Sequence, residues 1–344
     1  MKAPKVSVIM PVYNGEKYLK EAIESILSQD FIDFEFIIIN DGSTDKSDKI
    51  IHSYSDSRIN IINNDKNIGL INTLNKAMGI ALGEYIVRMD CDDISVENRI
   101  STQVKFMDSH PNIGASGSYY NLMLNGKKAL ADFPLNTSEI KSFMIFNCPI
   151  AHPSAIIRNS LIKKENIVYR AEYIHSEDYD FWSQISECAD LANIPAVLLN
   201  YRVHSNQITG NPALLVNKNQ SLDAIRSRHL KLINIVPTTY ELIIHNLISD
   251  GRKAESDDQF LRSEVWLKKI MLENQKNEVL DKRYFEKIIL ERWLRLCFNY
   301  YGGRKGFQKF LHSDLNRSIK LPLKQRIEFF KNLYNSWKRK IIKK

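Results

Sequence analysis

Glu84-Tyr-Ile-Val-Arg-Met-Asp-Cys-Asp-Asp93 is an apolar run that stops abruptly in three carboxylates. Tyr85, Ile86, Val87 and Met89 suit a strand buried on both faces, as in a parallel sheet. Ile94 onward reads as a loop leading into a helix that begins near Val96. Acids at the carboxyl end of such a strand lie where open α/β sheets bind ligands. Asp90 and Asp92 are two apart and share one face of an extended chain. They offer a hard, all-oxygen site suited to Mg2+ or Mn2+, with substrate phosphates completing the shell. An acidic loop capping the next helix would leave the same trace, so this stretch alone does not separate the two readings.

Outward from that stretch, strand and helix alternate. Lys5 to Met10 reads as a first strand ended by Pro11. Glu16 to Gln29 reads as a helix with Leu19, Ala22, Ile23, Ile26 and Leu27 on one side. Strands over Phe34 to Ile39 and Ile59 to Ile62 and a helix over Leu70 to Leu82 follow. The spacing predicts an α/β fold with a doubly wound, mostly parallel sheet and right-handed crossovers, the strand ending at Asp90 being its fourth member. Downstream, Ile113 to Leu124 and Lys127 to Ala131 predict a hairpin across Asn125-Gly126. Short strands are expected at Ala155 to Ile157 and Ala196 to Leu199, and a helix N-capped by Ser176 running to about Asp190. From Asn211 the pattern is helical: Leu214 to Ile235, Asp258 to Leu272, Lys282 to Tyr300, and Leu323 to the end.

Composition narrows the class. With 344 residues, 44% apolar and 26% charged, this is the make-up of a soluble globular protein. No run approaches the ~20 apolar residues of a membrane span, and the first apolar run is too short for a secretory signal, so a cytoplasmic protein is expected. Cys91, Cys148, Cys188 and Cys297 show no CxxC spacing and read as reduced packing thiols. Residues 320–344 hold nine Lys/Arg against one acid, so the net charge of +8 lies wholly in that tail and the rest is formally neutral. Such a chain has no basic groove for nucleic acid across its body. Pro-Val-Tyr-Asn-Gly-Glu16 stands where a dinucleotide fold needs GxGxxG, and no GxxxxGK[ST] loop occurs, which excludes NAD and P-loop chemistry. The glycine-rich, arginine-bearing loop of a sugar-nucleotide pyrophosphorylase is missing too.

The loops offer polar ends instead. Asp41, after the second strand, suits a hydrogen bond from the ring N–H of a uracil, although an Asp-Gly turn would also place an aspartate there. Tyr13 suits stacking on a base. Asn67 and Gly69 lie in the next strand-to-helix loop, where glycine lets backbone approach a ligand.

Pro11-Val-Tyr-Asn-Gly15, Asn40-Asp-Gly-Ser-Thr-Asp45, Asn67-Ile-Gly69 and Asp90-Cys-Asp-Asp93, in that order and spacing, resemble family-2 glycosyltransferases of the GT-A fold over roughly the first 95 residues. The resemblance implies that Asp41 contacts the base of a nucleotide sugar, with Pro11, Tyr13, Asn14, Asn67 and Gly69 around it, that Asp90 lies near the ribose, and that Asp92 binds the divalent metal, Mn2+ or Mg2+. Cys91 stands where the family usually has a small residue. His152, between two prolines, falls in a region that lines the sugar pocket in similar proteins; a packed loop histidine is the alternative. Ser176-Glu-Asp-Tyr-Asp-Phe-Trp182 resembles the family's Glu-Asp motif, which makes Asp178 the catalytic base and Glu177, Asp180 and Trp182 acceptor-side or shaping residues. Tyr201-Arg-Val-His204 resembles a further motif, in which Arg202 faces the diphosphate and His204 is a metal ligand or a phosphate donor.

On this reading residues 1–210 are the catalytic domain, nucleotide-sugar half 1–95 and acceptor half 96–210, and 211–344 an all-helical extension. The expected activity is inverting transfer from a nucleoside-diphosphate sugar, UDP-sugar preferred, to a hydroxyl of a saccharide acceptor, giving a β-linked product. By resemblance the acceptor is polyprenyl-diphosphate-linked, as in bacterial O-antigen, capsule or exopolysaccharide synthesis. A polyprenyl-phosphate glycosyltransferase and a non-catalytic nucleotide-sugar-binding protein are the alternatives. After Pro322, Leu323, Ile327, Phe330, Tyr334, Trp337 and Ile341 form an apolar stripe with bases on its other faces, the pattern of a helix lying on an anionic membrane surface. Docking of that stripe on the catalytic domain is the other reading.

Overall fold

The first four strands form because the first, second and fourth are apolar on both faces and the third, at the end of the sheet, carries isoleucines between exposed asparagines, each strand being separated from the next by a helix. In the computed structural model, which describes residues 3–124, 126–204, 207 and 215–319, they are β1 (Val6–Val12), β2 (Phe34–Asn40), β3 (Ile59–Asn63) and β4 (Tyr85–Arg88). Between them run α1 (Leu19–Leu27), α2 (Ser47–Ile51) and α3 (Leu70–Ile80). The strands are parallel in the order β3-β2-β1-β4. All four carboxyl ends therefore open on one edge, where a doubly wound sheet binds its ligand. Leu19, Ala22, Ile23 and Ile26 of α1 pack into the same core as Val8, Met10, Phe36 and Val87.

Pro11 does not end β1. The carbonyls of Lys5 and Ile9 accept from Tyr85 and Met89 of the β4 side, so the odd-numbered backbone groups face that way. β4 stops at Arg88, and the missing N–H of Pro11 points past the end of its neighbour, where no ladder bond is lost.

Beyond β4 the sheet is mixed. β5 (Ile94–Ser95) is a two-residue strand where a loop was expected, and α4 (Arg99–Ser109) begins three residues after Val96. β6 (Ile113–Leu124) and β7 (Lys127–Ala131) make the predicted hairpin. There follow α5 (Thr137–Phe143), β8 (Ile156–Arg158), α6 (Asn159–Glu165), α7 (Glu177–Cys188) and β9 (Asp190–Arg202). β8 pairs antiparallel with β4 and β6, and β9 runs parallel to β6, giving β3-β2-β1-β4-β8-β6-β9-β5 with β7 on β6. β9 is longer than expected at both ends. Its register with β6 jumps from Ser118↔Ile194 to Tyr119↔Val197, so Pro195 sits in a bulge and costs no ladder bond.

The described residues fall into two compact units: those up to Thr137 with Cys148–Leu222, and Ser138–Asn147 with those from Asp223 on. The second is helical, with α8 (Leu215–Leu232) entering it and α9 (Thr239–Asp250), α10 (Asp257–Asn277), α11 (Lys282–Tyr301), α12 (Gly303–His312) and α13 (Asp314–Ser318) following. Thr238 and Glu241 form a capping box that starts α9, and Ser256 and Asp281 cap α10 and α11. Ile145 and Phe146 share its core with Trp266, Ile270, Phe285 and Trp293. The carbonyl of Ile145 meets His245 Nε2 at 2.9 Å and that of Phe146 accepts from Arg226 Nε at 3.1 Å. The basic stretch 320–344, with its expected amphipathic helix, lies outside the described residues. Among the described residues no helix is long and apolar enough to cross a membrane.

Candidate active site

Three loops at the carboxyl edge of the sheet are stitched into one floor. The N–H of Asn14 donates to Ser43 Oγ at 3.0 Å, and Thr44 N–H donates back to Asn14 Oδ1 at 2.9 Å. Asn14 has φ 50°, a left-handed conformation that asparagine tolerates, and it turns the chain directly after Pro11 and Val12. Tyr13 projects from this turn, 49% exposed, its ring free to stack. The third loop closes on Asp41. Asp41 is buried; its Oδ1 accepts from Ile68 N–H at 2.9 Å and Asn64 Nδ2 at 2.8 Å, and its Oδ2 from Gly69 N–H at 3.0 Å. A carboxylate oxygen takes two hydrogen bonds, so Oδ2 keeps one acceptor position for a ring N–H. Gly69 (φ 87°) turns the chain into α3, and Asn67 Oδ1 accepts from its N–H at 2.9 Å.

At the end of β4, one carboxylate oxygen each from Asp90, Asp92 and Asp93 lies within 4.8 Å of the others. Asp92 Oδ2 is 2.9 Å from His204 Nε2, so residues 112 positions apart meet. Asp90 pairs with Arg88, and burial followed by the Asp92 charge raises its proton affinity against the pull of that arginine. Asp93 is fully buried; its Oδ1 accepts from Arg202 N–H at 2.9 Å and its Oδ2 has no partner. Clustered carboxylate oxygens are the donors a Mg2+ or Mn2+ ion takes, and the unpartnered buried oxygen of Asp93 among them fits a cation nearby. Arg202 is held by the protein. Its Nε donates to the Asp92 carbonyl at 2.9 Å and its Nη2 to Glu21 at 2.8 Å, while Tyr18 lies 4.3 Å under the guanidinium and 4.9 Å from the His204 ring.

The second acidic group is at the start of α7. Ser176 stands at the N-cap position, but its hydroxyl makes no cap bond and is buried without a partner. Asp178 Oδ1 instead accepts from Tyr179 N–H at 2.7 Å, and its Oδ2 takes the Cys148 thiol at 3.5 Å. Burial raises the proton affinity of Asp178, and it pushes Glu177 up to about 7, with the Asp178 charge as second cause. Glu177 Oε2 is buried with no partner. Asp180, itself buried, pairs with the part-exposed Arg170 and holds the turn before α7.

His152 forms the adjoining wall. Its Nε2 is 2.7 Å from the Tyr169 hydroxyl, and burial holds the ring neutral. Tyr169 stacks on Phe181 at 4.1 Å, and Trp182, fully buried, sets its ring edge against His152 from behind. Four members of this constellation were not singled out in the sequence: Arg88, Asp93, Cys148 and Tyr169. Arg88 left a signal there as a charge inside an apolar strand, and Asp93 as the third carboxylate of the run.

Residues 7–164 match the family model described as Glycosyl transferase family 2. An uncharacterized glycosyltransferase of Haemophilus influenzae is 37% identical over 216 residues, 59% of this chain and 67% of that protein. The UDP-Glc:alpha-D-GlcNAc-diphosphoundecaprenol beta-1,3-glucosyltransferase WfaP of Escherichia coli is 34% identical over 208 residues, 60% of this chain and 80% of that one. Among solved structures, S. aureus TarS 1-349 in complex with UDP-GlcNAc aligns over 89% of this chain and 91% of its own, with TM-score 0.59 at 17% identity. The mannosyltransferase PcManGT from Pyrobaculum calidifontis, in complex with GDP-Man and Mn2+, covers 81% of this chain and 76% of its own with TM-score 0.52 at 16% identity. Both are likenesses of fold. The chain belongs to glycosyltransferase family 2, and its sheet with a helical C-terminal extension is the GT-A arrangement expected from the sequence.

Proposed function

We propose that this glycosyltransferase moves a hexose or N-acetylhexosamine from a UDP-sugar, with inversion, to a hydroxyl of a saccharide carried on polyprenyl diphosphate, as a step of bacterial surface-polysaccharide synthesis. The observation that carries the reading is the pair of acidic groups on one sheet edge, one beside an imidazole and one at the start of α7 with raised proton affinity. The diphosphoundecaprenol acceptor named for WfaP supports the choice of acceptor class.

In this reading the remaining acceptor position on Asp41 takes the uracil N–H, Tyr13 stacks on the base, and Pro11, Asn14, Asn67 and Gly69 shape its cradle. Asp90 lies beside the ribose. Asp92 and His204 hold Mn2+ or Mg2+, which when bound offsets the charge growing on the departing diphosphate. Arg202 steadies that pair from its place on Glu21 and Tyr18. Asp178, raised in proton affinity and held by Tyr179 N–H and the Cys148 thiol, takes the proton of the attacking hydroxyl. Glu177 and His152 face the sugars, and Trp182 backs His152. One displacement inverts the anomeric centre, so an α-configured donor gives a β-glycoside. A lipid-borne acceptor would bring the enzyme to the inner membrane face, where the basic tail meets anionic headgroups.

The test separates the two acidic groups. Asp92→Ala should lose the metal-dependent thermal stabilisation that UDP gives the wild type, and turnover with it. Asp178→Asn should keep that stabilisation and lose roughly 10²–10⁴ in kcat. Wild-type turnover by Asp178→Asn would reject it as the base and favour an acceptor that is already an anion, as polyprenyl phosphate is.

A further inference from the structure

The loop that closes on Asp41 brings two further side chains to that carboxylate, and the proposed transfer gives neither a task. Asn64 directly follows β3, its backbone N–H fixed on the Asn40 carbonyl at 2.9 Å. Its side-chain amide lies between Asp41 and Lys76 of α3. Lys76 Nζ donates to Asn64 Oδ1 at 2.6 Å. An ammonium has donors and no acceptor, so the amide oxygen must face Lys76 and the amide nitrogen must face Asp41, where Nδ2 donates to Oδ1 at 2.8 Å. Ile68 N–H takes the other position on that oxygen at 2.9 Å, so Oδ1 is filled. Among the described residues Oδ2 receives the Gly69 N–H alone, at 3.0 Å, and shares it with Asn67 Oδ1.

A carboxylate with one oxygen closed and one open reads a single N–H. Uracil and thymine present that pattern, one imide N–H between two carbonyls. Guanine presents two neighbouring donors, the ring N1–H and the exocyclic amine, which match a carboxylate when both of its oxygens are free. Against a filled Oδ1 the amine gives up its water and gains no partner, which costs binding. Cytosine and adenine turn a ring-nitrogen lone pair toward the acid, and Oδ2 itself repels them. Resting on the reading that Asp41 faces the base, we propose that Asn64, oriented by Lys76, is a specificity-determining residue: by closing the second oxygen of Asp41 it confines the donor to a uracil or thymine nucleotide and excludes guanine. Asn64 acts through Asp41 and needs no contact with the base. Exclusion of guanine therefore depends on Asn64, and exclusion of cytosine on Asp41.

Calorimetric titration of the full-length chain with UDP, GDP and CDP in the presence of Mn2+ reads the proposal as a ratio of affinities. Wild type should bind UDP and prefer it to both others. In Asn64→Ala, Oδ1 regains a free position, and the preference for UDP over GDP should fall by about tenfold or more, the scale of one good bidentate pair. The rejection of CDP should stay. A role confined to holding the loop would weaken all the nucleotides together, so an unmoved UDP-to-GDP ratio in folded Asn64→Ala overturns the proposal. A wild type that binds GDP as tightly as UDP overturns it too. Lys76→Met, at an exposed position, frees the amide to turn and should lower the same ratio by a smaller factor; an unmoved ratio there removes Lys76 from the proposal. Should Asn64→Ala fail to fold, Lys76→Met decides alone, and an unmoved ratio overturns the whole. Failure of the underlying reading looks different: a folded Asp41→Ala that binds UDP as tightly as wild type shows that Asp41 does not face the base, whatever Asn64 does.

Discussion

Glu177→Gln should stabilise the protein at pH 8 and leave it little changed at pH 5. The folded protein holds the Glu177 proton more tightly than the unfolded chain does, because burial and then the Asp178 charge lift its titration from 4.5 to about 7. The sign follows from the raised value. The folded state gains from proton binding below the unfolded pKa, and that gain is lost as pH rises from about 4.5 through 7. At 1.36 kcal/mol for each tenfold in proton affinity, the ceiling is roughly 3 kcal/mol. Solvent at the pocket mouth and the neighbour's own raised titration reduce this, and roughly 1–2 kcal/mol is expected. Glutamine keeps the shape without the charge, so urea midpoints at pH 5, 6, 7 and 8, taken with metal chelated, should diverge from wild type only as pH rises. A constant difference between the two proteins across that range would refute the argument, because it would mean that Glu177 ionises as freely folded as unfolded.

Proton NMR of the product made from an α-configured UDP-sugar should show a β anomer; a retained configuration would end the single-displacement mechanism. Gly42→Ala should cost about 1–3 kcal/mol in chemical unfolding and weaken UDP binding. A Cβ there would lie 2.6 Å from the backbone of Lys66 and Asn67 at a φ of 67°, and the loop it displaces supplies the N–H groups on Asp41. An unchanged UDP affinity would show that the Asp41 cradle tolerates movement. A chain ending at Leu321 should lose flotation with anionic liposomes that the full-length protein shows at low salt; equal flotation by both would leave the tail without a membrane role.

The first half of the fold was legible because its inner strands are apolar on both faces and α1 and α3 on one, which fixes period and length together. Pro11 misled on the end of β1, since a proline is harmless wherever the neighbouring strand has already stopped. β5 was invisible because two residues carry no period; their partner, β9, is a hundred positions away. Asp41, Asp92 and His204 could be singled out by residue type and place after a strand, and the structure sets Asp92 Oδ2 2.9 Å from His204 Nε2. Asp93 could not be told from Asp90 and Asp92 by type or place; the structure sets it apart, buried with its Oδ1 accepting from Arg202 N–H. Ser176 looked like a cap, but the Tyr179 amide already belongs to Asp178.

The ten residues 138–147 set a timetable for making this protein. They belong to the helical unit, yet they are synthesised before the last two strands, β8 and β9, of the sheet that surrounds them in sequence. Ile145 and Phe146 leave the ribosome some 150 residues ahead of the last turn of α11. At ~5–20 residues per second that is roughly ten to thirty seconds in which two large apolar side chains and two carbonyls wait for Trp293, His245 and Arg226. A nascent chain stalled within that window exposes a sticky segment whose own core partners have not been made. For the same reason the helical unit, produced by itself from residue 223 onward, would close on an empty slot, and co-expression with a peptide spanning 138–147 is the form in which it should become soluble.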